Sequence, residues 1–144
     1  MELTFRPALE NQGETIFQMA RELIQTYEDP NQVDLPKVLA WTRRKIETHI
    51  GEYTCVCLHE EPVGFYRFCP EAEAMELDDL YILPQFRGRG IGTAVINRCI
   101  AQGMPIELYV FTQNTGALRL YRRLGFAIAR QVSPTRLLLR REVL

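Results

Sequence analysis

The chain has 144 residues, 47% of them hydrophobic and 24% charged, with a net charge of −1. That balance excludes wholesale disorder and collagen-like repetition, a strongly basic nucleic-acid-binding surface, and any run approaching the ~20 apolar residues of a membrane span. At this size one domain over residues 1–144 is expected, stable without a disulfide or metal staple.

Leu3 to Pro7 reads as an opening strand. No basic, apolar leader precedes it, so no secretory signal is expected and the protein is taken as cytoplasmic. Ile16, Met19, Ala20, Leu23 and Tyr27 recur at helical spacing, and Asp29-Pro30-Asn31 ends that helix. Asp34 is a good N-cap, and Pro36 falls in the first turn, where its missing N–H costs nothing. The second helix turns Leu35, Val38, Leu39 and Ile46 inward and ends near Gly51. Tyr53 to His59 is a strand, Glu60-Glu61-Pro62 a turn, and Val63 to Phe68 the returning arm of a hairpin. Cys69 to Ala74 is a polar loop, and Met75 to Leu83 a strand halted by Pro84.

Beyond Pro84 a glycine-rich turn leads into a helix that runs to about Gln102, capped by Gly103. Pro105 to Phe111 is a strand. Asn114 caps a short helix, Thr115 to Leu124, closed by Gly125. Phe126 to Val132 and Arg136 to Arg141 form a last hairpin about Ser133-Pro134. The order β-α-α-β-β-β-α-β-α-β-β is a mixed α/β (α+β) class, not a regular βα alternation.

Charge is unevenly divided. Residues 1–79 hold seven basic and sixteen acidic groups, and residues 80–144 hold ten basic and two acidic. An anionic ligand on the C-terminal half and a cationic one toward the N-terminal half would fit this, as would two well-mixed surfaces. Cys55, Cys57, Cys69 and Cys99 lack the paired spacings of a zinc site, so buried free thiols and no metal are expected.

The turn Arg87-Gly88-Arg89-Gly90-Ile91-Gly92-Thr93 carries the clearest chemistry. Glycines let a backbone approach a phosphate, and the N–H groups opening a helix face the anion. Arg87 and Arg89 add forked cationic donors. A Walker loop would need Gly-Lys-Ser/Thr, which is missing. A dinucleotide turn would have its third glycine where Thr93 stands, and the βαβαβ repeat is absent.

Arg87-x-x-Gly90-x-Gly92 resembles the R/Q-x-x-G-x-G/A motif of the GNAT superfamily of acetyl-CoA-dependent N-acetyltransferases. Leu80-Tyr81-Ile82-Leu83-Pro84 resembles the family's fourth strand and its exit. Asn114-x-x-Ala117-x-x-x-Tyr121-x-x-x-Gly125-Phe126 resembles the segment after its fifth strand. The resemblance implies a mostly antiparallel sheet of six to seven strands, splayed between strands 4 and 5 and flanked by about four helices. It implies that the backbone of Tyr81, Ile82 and Leu83 pairs with the pantetheine arm of acetyl-CoA. It implies that Arg87, Gly88, Arg89, Gly90, Ile91, Gly92 and Thr93 hold the pyrophosphate, that Asn114 and Ala117 line the cofactor near the splay, and that Tyr121 protonates the departing thiolate. Family members are often homodimers.

An amine attacking a thioester must also lose a proton, since alkylamines are mostly protonated at neutral pH. The strand Glu76-Leu77-Asp78-Asp79-Leu80 offers carboxylates. Period-two alternation puts Glu76 and Asp78 on one face and Asp79 and Tyr81 on the other, a parity that a bulge would change. Glu76 or Asp78 is the expected base, with Glu107 an outsider. The expected acceptor is a primary amine, with polyamine, aminoglycoside, amino acid and protein N-terminus all open, and Glu10, Glu14, Glu22, Glu28 and Asp29 hint at a small cationic one. Trp41, Tyr27 and Tyr53 are candidates for its pocket, although core packing is the default for a lone Trp. A silent acyl-CoA-binding sensor is the alternative to an enzyme.

Overall fold

A computed structural model describes residues 1–143 of the chain. Seven strands form one sheet: β1 (Leu3–Pro7), β2 (Tyr53–Leu58), β3 (Glu61–Pro70), β4 (Met75–Ile82), β5 (Ile106–Phe111), β6 (Ala127–Ser133) and β7 (Arg136–Arg141). Their spatial order is β1-β2-β3-β4-β5-β7-β6. Every neighbouring pair is antiparallel except β4 and β5. Four helices flank the sheet: α1 (Gly13–Tyr27), α2 (Leu35–His49), α3 (Ile91–Ile100) and α4 (Thr115–Arg123).

Local chemistry explains the helix ends. Asp34 accepts the Lys37 N–H at 3.2 Å and caps α2, with Pro36 in the first turn. Asn114 accepts the Ala117 N–H at 3.3 Å and caps α4. Between β2 and β3 the structure departs from the sequence expectation. His59 and Glu60 make the turn, with φ of 52° and 66°, and Pro62 lies inside β3. A two-residue hairpin matching the right-handed twist of its strands needs left-handed φ at both central positions. β3 also continues through Cys69 to Pro70, which shortens the expected polar loop.

The sheet separates two apolar layers. Ile16, Phe17, Met19 and Ala20 of α1, with Ile46 of α2, pack on Tyr53, Cys55, Cys57 and Phe65. Ile91, Val95, Ile96 and Cys99 of α3, with the half-buried Ala117, Leu120 and Tyr121 of α4, pack on Val56, Val63, Leu77, Leu108 and Val110. Alternation along β2 sends its cysteines one way and Val56 the other. Each such side chain, fully buried, contributes about 1.5–3 kcal/mol. All four cysteines are buried and free.

Two irregularities in β4 shape the centre of the molecule. First, β4 and β5 pair only at Met75–Ile106 and Glu76–Glu107, and beyond this they carry no further register. Second, β4 has a bulge. Arg67 faces Asp78 but Phe65 faces Tyr81, so β4 holds one extra residue there, and Asp79 takes a left-handed φ of 50°. The bulge turns Leu77 and Leu80 to the same core although they are three apart. Gly64 lies against this stretch, and a Cβ on it would stand 2.7 Å from the Tyr81 carbonyl oxygen.

Candidate active site

Where β4 and β5 part, a cavity of about 580 Å³ opens between them. Its lining comes from both faces of the sheet. Ala117, Leu120 and Tyr121 of α4, with Asn114, Arg87 and Gly92, belong to one side. Glu22, Tyr27, Trp41 and Lys45 of α1 and α2, with Glu28 just past α1, belong to the other. Strand residues from Leu77 to Ile82 and from Leu108 to Phe111 form the walls. A narrow reagent can therefore meet another across the sheet.

On the α3/α4 side, Gly88 and Gly90 adopt φ of 77° and 80°. That conformation strains any residue with a Cβ, which explains the alternating glycines. Gly90 is the N-cap of α3, and the first intrahelical bond is Ala94 N–H to the Gly90 carbonyl at 3.0 Å. The N–H groups of Ile91, Gly92 and Thr93 precede it, so the helix start presents donors and the positive end of its dipole. Arg87 donates through Nε to the Ile82 carbonyl at 3.0 Å, tying the loop to the end of β4. Arg89 lies over the Phe86 ring at 5.3 Å. Of the loop, Arg87 and Gly92 line the cavity, whereas Gly88, Arg89, Gly90, Ile91 and Thr93 do not, and the Ile91 side chain is core. Leu83 lies just past β4 and packs toward α1 and α2.

Tyr121 sits edge-on to Phe126, ring centroids 5.5 Å apart, and faces the cavity from α4. Burial pushes its phenol up to about 12, with Cys99 adding to the shift. It therefore keeps its proton throughout the neutral range.

On the α1/α2 side the bulge brings two adjacent carboxylates together. Lys45 Nζ lies 2.8 Å from Asp79 Oδ2 and 3.1 Å from Asp78 Oδ2. Tyr53 and Tyr81 donate their hydroxyls to Asp79 at 2.5 Å and 2.8 Å. Arg67 reaches Asp78 at 3.5 Å and Glu52 at 2.9 Å. Burial and the Asp79 charge push the Asp78 carboxyl above the usual carboxylate range, against the pull of Lys45 and Arg67. Burial also opposes the Lys45 charge, but the carboxylates of Asp79 and Asp78 more than reverse this and its ammonium is held above the ordinary value. Burial, reinforced by Asp79, raises Tyr53 and Tyr81 as well.

Of the expected bases, Asp78 lines the cavity, whereas Glu76 and Glu107 do not. Those two sit side by side at the closed end of the β4–β5 pair. Burial, then Asp78, pushes Glu76 up, and Glu107 lies 3.6 Å from Arg140. Tyr27 lines the cavity and stacks on Phe111, while Tyr53 is core. Trp41 corrects the default for a lone Trp: it is 58% exposed at the cavity edge. Sequence reasoning passed over Lys45 and Arg136; Asp79 and Tyr81 do share a face, but strict alternation separated Asp78 from Asp79, which the bulge brings to the same Lys45. Val38, Thr42 and Lys45 share a helical stripe, so a lysine on that inward face was the available signal.

The sequence model of the Acetyltransferase (GNAT) family matches residues 16–126. The chain belongs to this GNAT family. An uncharacterized N-acetyltransferase from Methanocaldococcus jannaschii is 35% identical over 98 residues, 60% of this chain and 42% of that protein. The peptidyl-lysine N-acetyltransferase YjaB of Salmonella typhimurium is 32% identical over 76 residues, 53% of this chain and 50% of the relative. The matches thus span half or less of these relatives' lengths. Among solved structures, the PaiA N-acetyltransferase of Thermoplasma acidophilum in complex with coenzyme A superposes with a TM-score of 0.72 at 17% identity, covering 99% of both chains. An acetyltransferase from Thermus thermophilus gives 0.71 at 23% identity, covering 98% of this chain and 97% of that one. These neighbours share the mixed, mostly antiparallel GNAT fold, with its parallel β4–β5 pair, described above.

Proposed function

We propose that this GNAT domain transfers the acetyl group of acetyl-CoA to a primary amine by direct attack in a ternary complex. The observation that carries this reading is the cavity through the splayed sheet. It has a proton-bearing phenol on one side and a carboxylate pair on the other.

Acetyl-CoA supplies an activated thioester carbonyl. The glycine turn and the start of α3 hold its diphosphate through main-chain N–H groups, with Arg87 alongside. The edge of β4 that β5 leaves uncovered near Tyr81 and Ile82 lines the arm and supports the oxygen on which charge grows, while the Leu83 N–H is taken by the Val63 carbonyl at 2.8 Å. Asn114 and Ala117 flank it from α4. The amine enters from the α1/α2 side, where Glu22 and Glu28 favour a cation, and gives its proton to the Asp78–Asp79 pair or to water held there. Tyr121 donates its proton to the departing sulfur, which forms the thiol of coenzyme A.

Thiol release from acetyl-CoA, measured against polyamines, aminoglycosides, amino acids and lysine peptides, tests this reading, with Tyr121→Phe as the control. Binding of acetyl-CoA with no thiol release for any amine would replace it with the silent acyl-CoA sensor.

A further inference from the structure

The α1/α2 side of the cavity holds one cation that the scheme above does not use. Arg136 opens β7 directly across from Phe111 of β5, so the two side chains share a face. Its guanidinium lies 4.9 Å from the Tyr109 ring centroid and 5.8 Å from that of Phe111. Phe111 in turn stacks on Tyr27 of α1 at 5.7 Å and 25°. Arg136 thus lies over two aromatic rings while lining the cavity, an arrangement in which a guanidinium can still use its N–H fork. Lys45, Arg43, Arg67 and Arg140 each pair with a carboxylate. Among the described residues, no carboxylate lies within 4.0 Å of Arg136.

Its neighbourhood is anchored. The Thr135 hydroxyl donates to Glu28, which ties the turn before β7 to the end of α1. Glu22 and Glu28 therefore share a rim with Arg136. This rim is on the opposite side of the sheet from the glycine turn, so the diphosphate of the cofactor is not its natural partner. A guanidinium fork matches a carboxylate in a bidentate manner.

Resting on the acetyl-transfer reading, we infer that Arg136 binds a carboxylate on the acceptor, which makes the substrate class an amine that also bears a carboxylate, as amino acids do. The ammonium end faces the acidic groups and the carboxylate end faces Arg136.

The experiment uses the common L-amino acids and the matching amines that lack the carboxylate, with thiol release from acetyl-CoA as one readout. Calorimetric binding to the coenzyme A-loaded protein is the other. The carboxylated member of the preferred pair should win in kcat/KM by about tenfold to hundredfold, the worth of a charged hydrogen bond pair. Arg136→Gln should erase that preference through KM, with kcat retained. Arg136→Lys should restore part of it, since it keeps charge without the fork. Acetyl-CoA affinity should not move in either variant. Equal rates within every pair, or an unchanged preference in Arg136→Gln, would overturn the inference. So would tenfold weaker acetyl-CoA binding in that variant, which would assign Arg136 to the cofactor. If acetyl-CoA binds but no amine releases thiol, the catalytic reading fails by itself. Calorimetry then decides the carboxylate site: amino-acid binding lost in Arg136→Gln supports it, and no binding at millimolar concentration overturns it.

Discussion

Lys45 places its ammonium 2.8 Å from the carboxylate of Asp79, and the side chains of the two are only 15% and 9% exposed. The same ammonium serves Asp78. Without it, two adjacent, largely buried carboxylates would face each other with only the Arg67 guanidinium, 3.5 Å from Asp78, as a partner charge. Lys45→Met should therefore cost roughly 3 kcal/mol in urea unfolding at neutral pH. The sign with pH follows from the direction of the shifts. Lys45 pulls the Asp78 value down, so removing it raises that folded-state value further above the unfolded one, and the variant recovers when Asp78 is protonated. The deficit should grow as pH rises from the unfolded value of Asp78 to its raised folded-state value, and Asp79→Asn in the Lys45→Met background should recover part of it.

Tyr121→Phe should lower kcat about a hundredfold, within the range for loss of a general acid, and leave acetyl-CoA affinity intact. Because burial holds the phenolic proton up to about pH 12, Tyr121 should impose no basic limb on kcat below pH 10. An equally active Phe variant, or a limb near pH 8 that disappears in it, would remove Tyr121 from the proposed role.

Gly90→Ala forces a side chain to φ of 80°. That costs about 1–2 kcal/mol if the turn keeps its shape. Otherwise the turn relaxes and the donors at the start of α3 move. Acetyl-CoA binding by calorimetry should weaken about tenfold, for 1.4 kcal/mol.

Gly64→Ala tests the bulge. Its Cβ would meet the Tyr81 carbonyl at 2.7 Å and the Ile82 side chain at 2.8 Å. β4 must then shift, at about 1–3 kcal/mol. Because the shift falls beside Asp79 and Tyr81, kcat/KM should drop as well as Tm. A loss of stability with unchanged kinetics would show that the site tolerates movement of β4.

Trp41→Ala should behave in the opposite way. Its ring is 58% exposed and meets Lys45 Nζ only at 5.7 Å. Stability should stay within about 0.5 kcal/mol, while KM for the acceptor rises and that for acetyl-CoA does not.

Some of this was legible without coordinates. Helical stripes, the Asp34 and Asn114 caps, and the strand–glycine turn–helix passage rest on interactions within a few residues, which neighbouring side chains settle alone. The motif from Arg87 to Gly92 and the run from Asn114 to Phe126 named the family for the same reason. Each carries a local backbone requirement that few other sequences satisfy.

What the amino-acid order determined by itself is therefore the set of elements and the glycine turn that opens α3. Only the tertiary structure decided which carboxylates meet, that Trp41 stays outside while Tyr53 is core, and that Phe111 packs between Arg136 and Tyr27 of a distant helix. The bulge at Asp79 comes from how β4 registers against β3, and the cavity from where β4 leaves β5. Both are pairings between segments far apart in the chain. A one-residue change in register reverses the face of every side chain beyond it, and no local pattern carries that information.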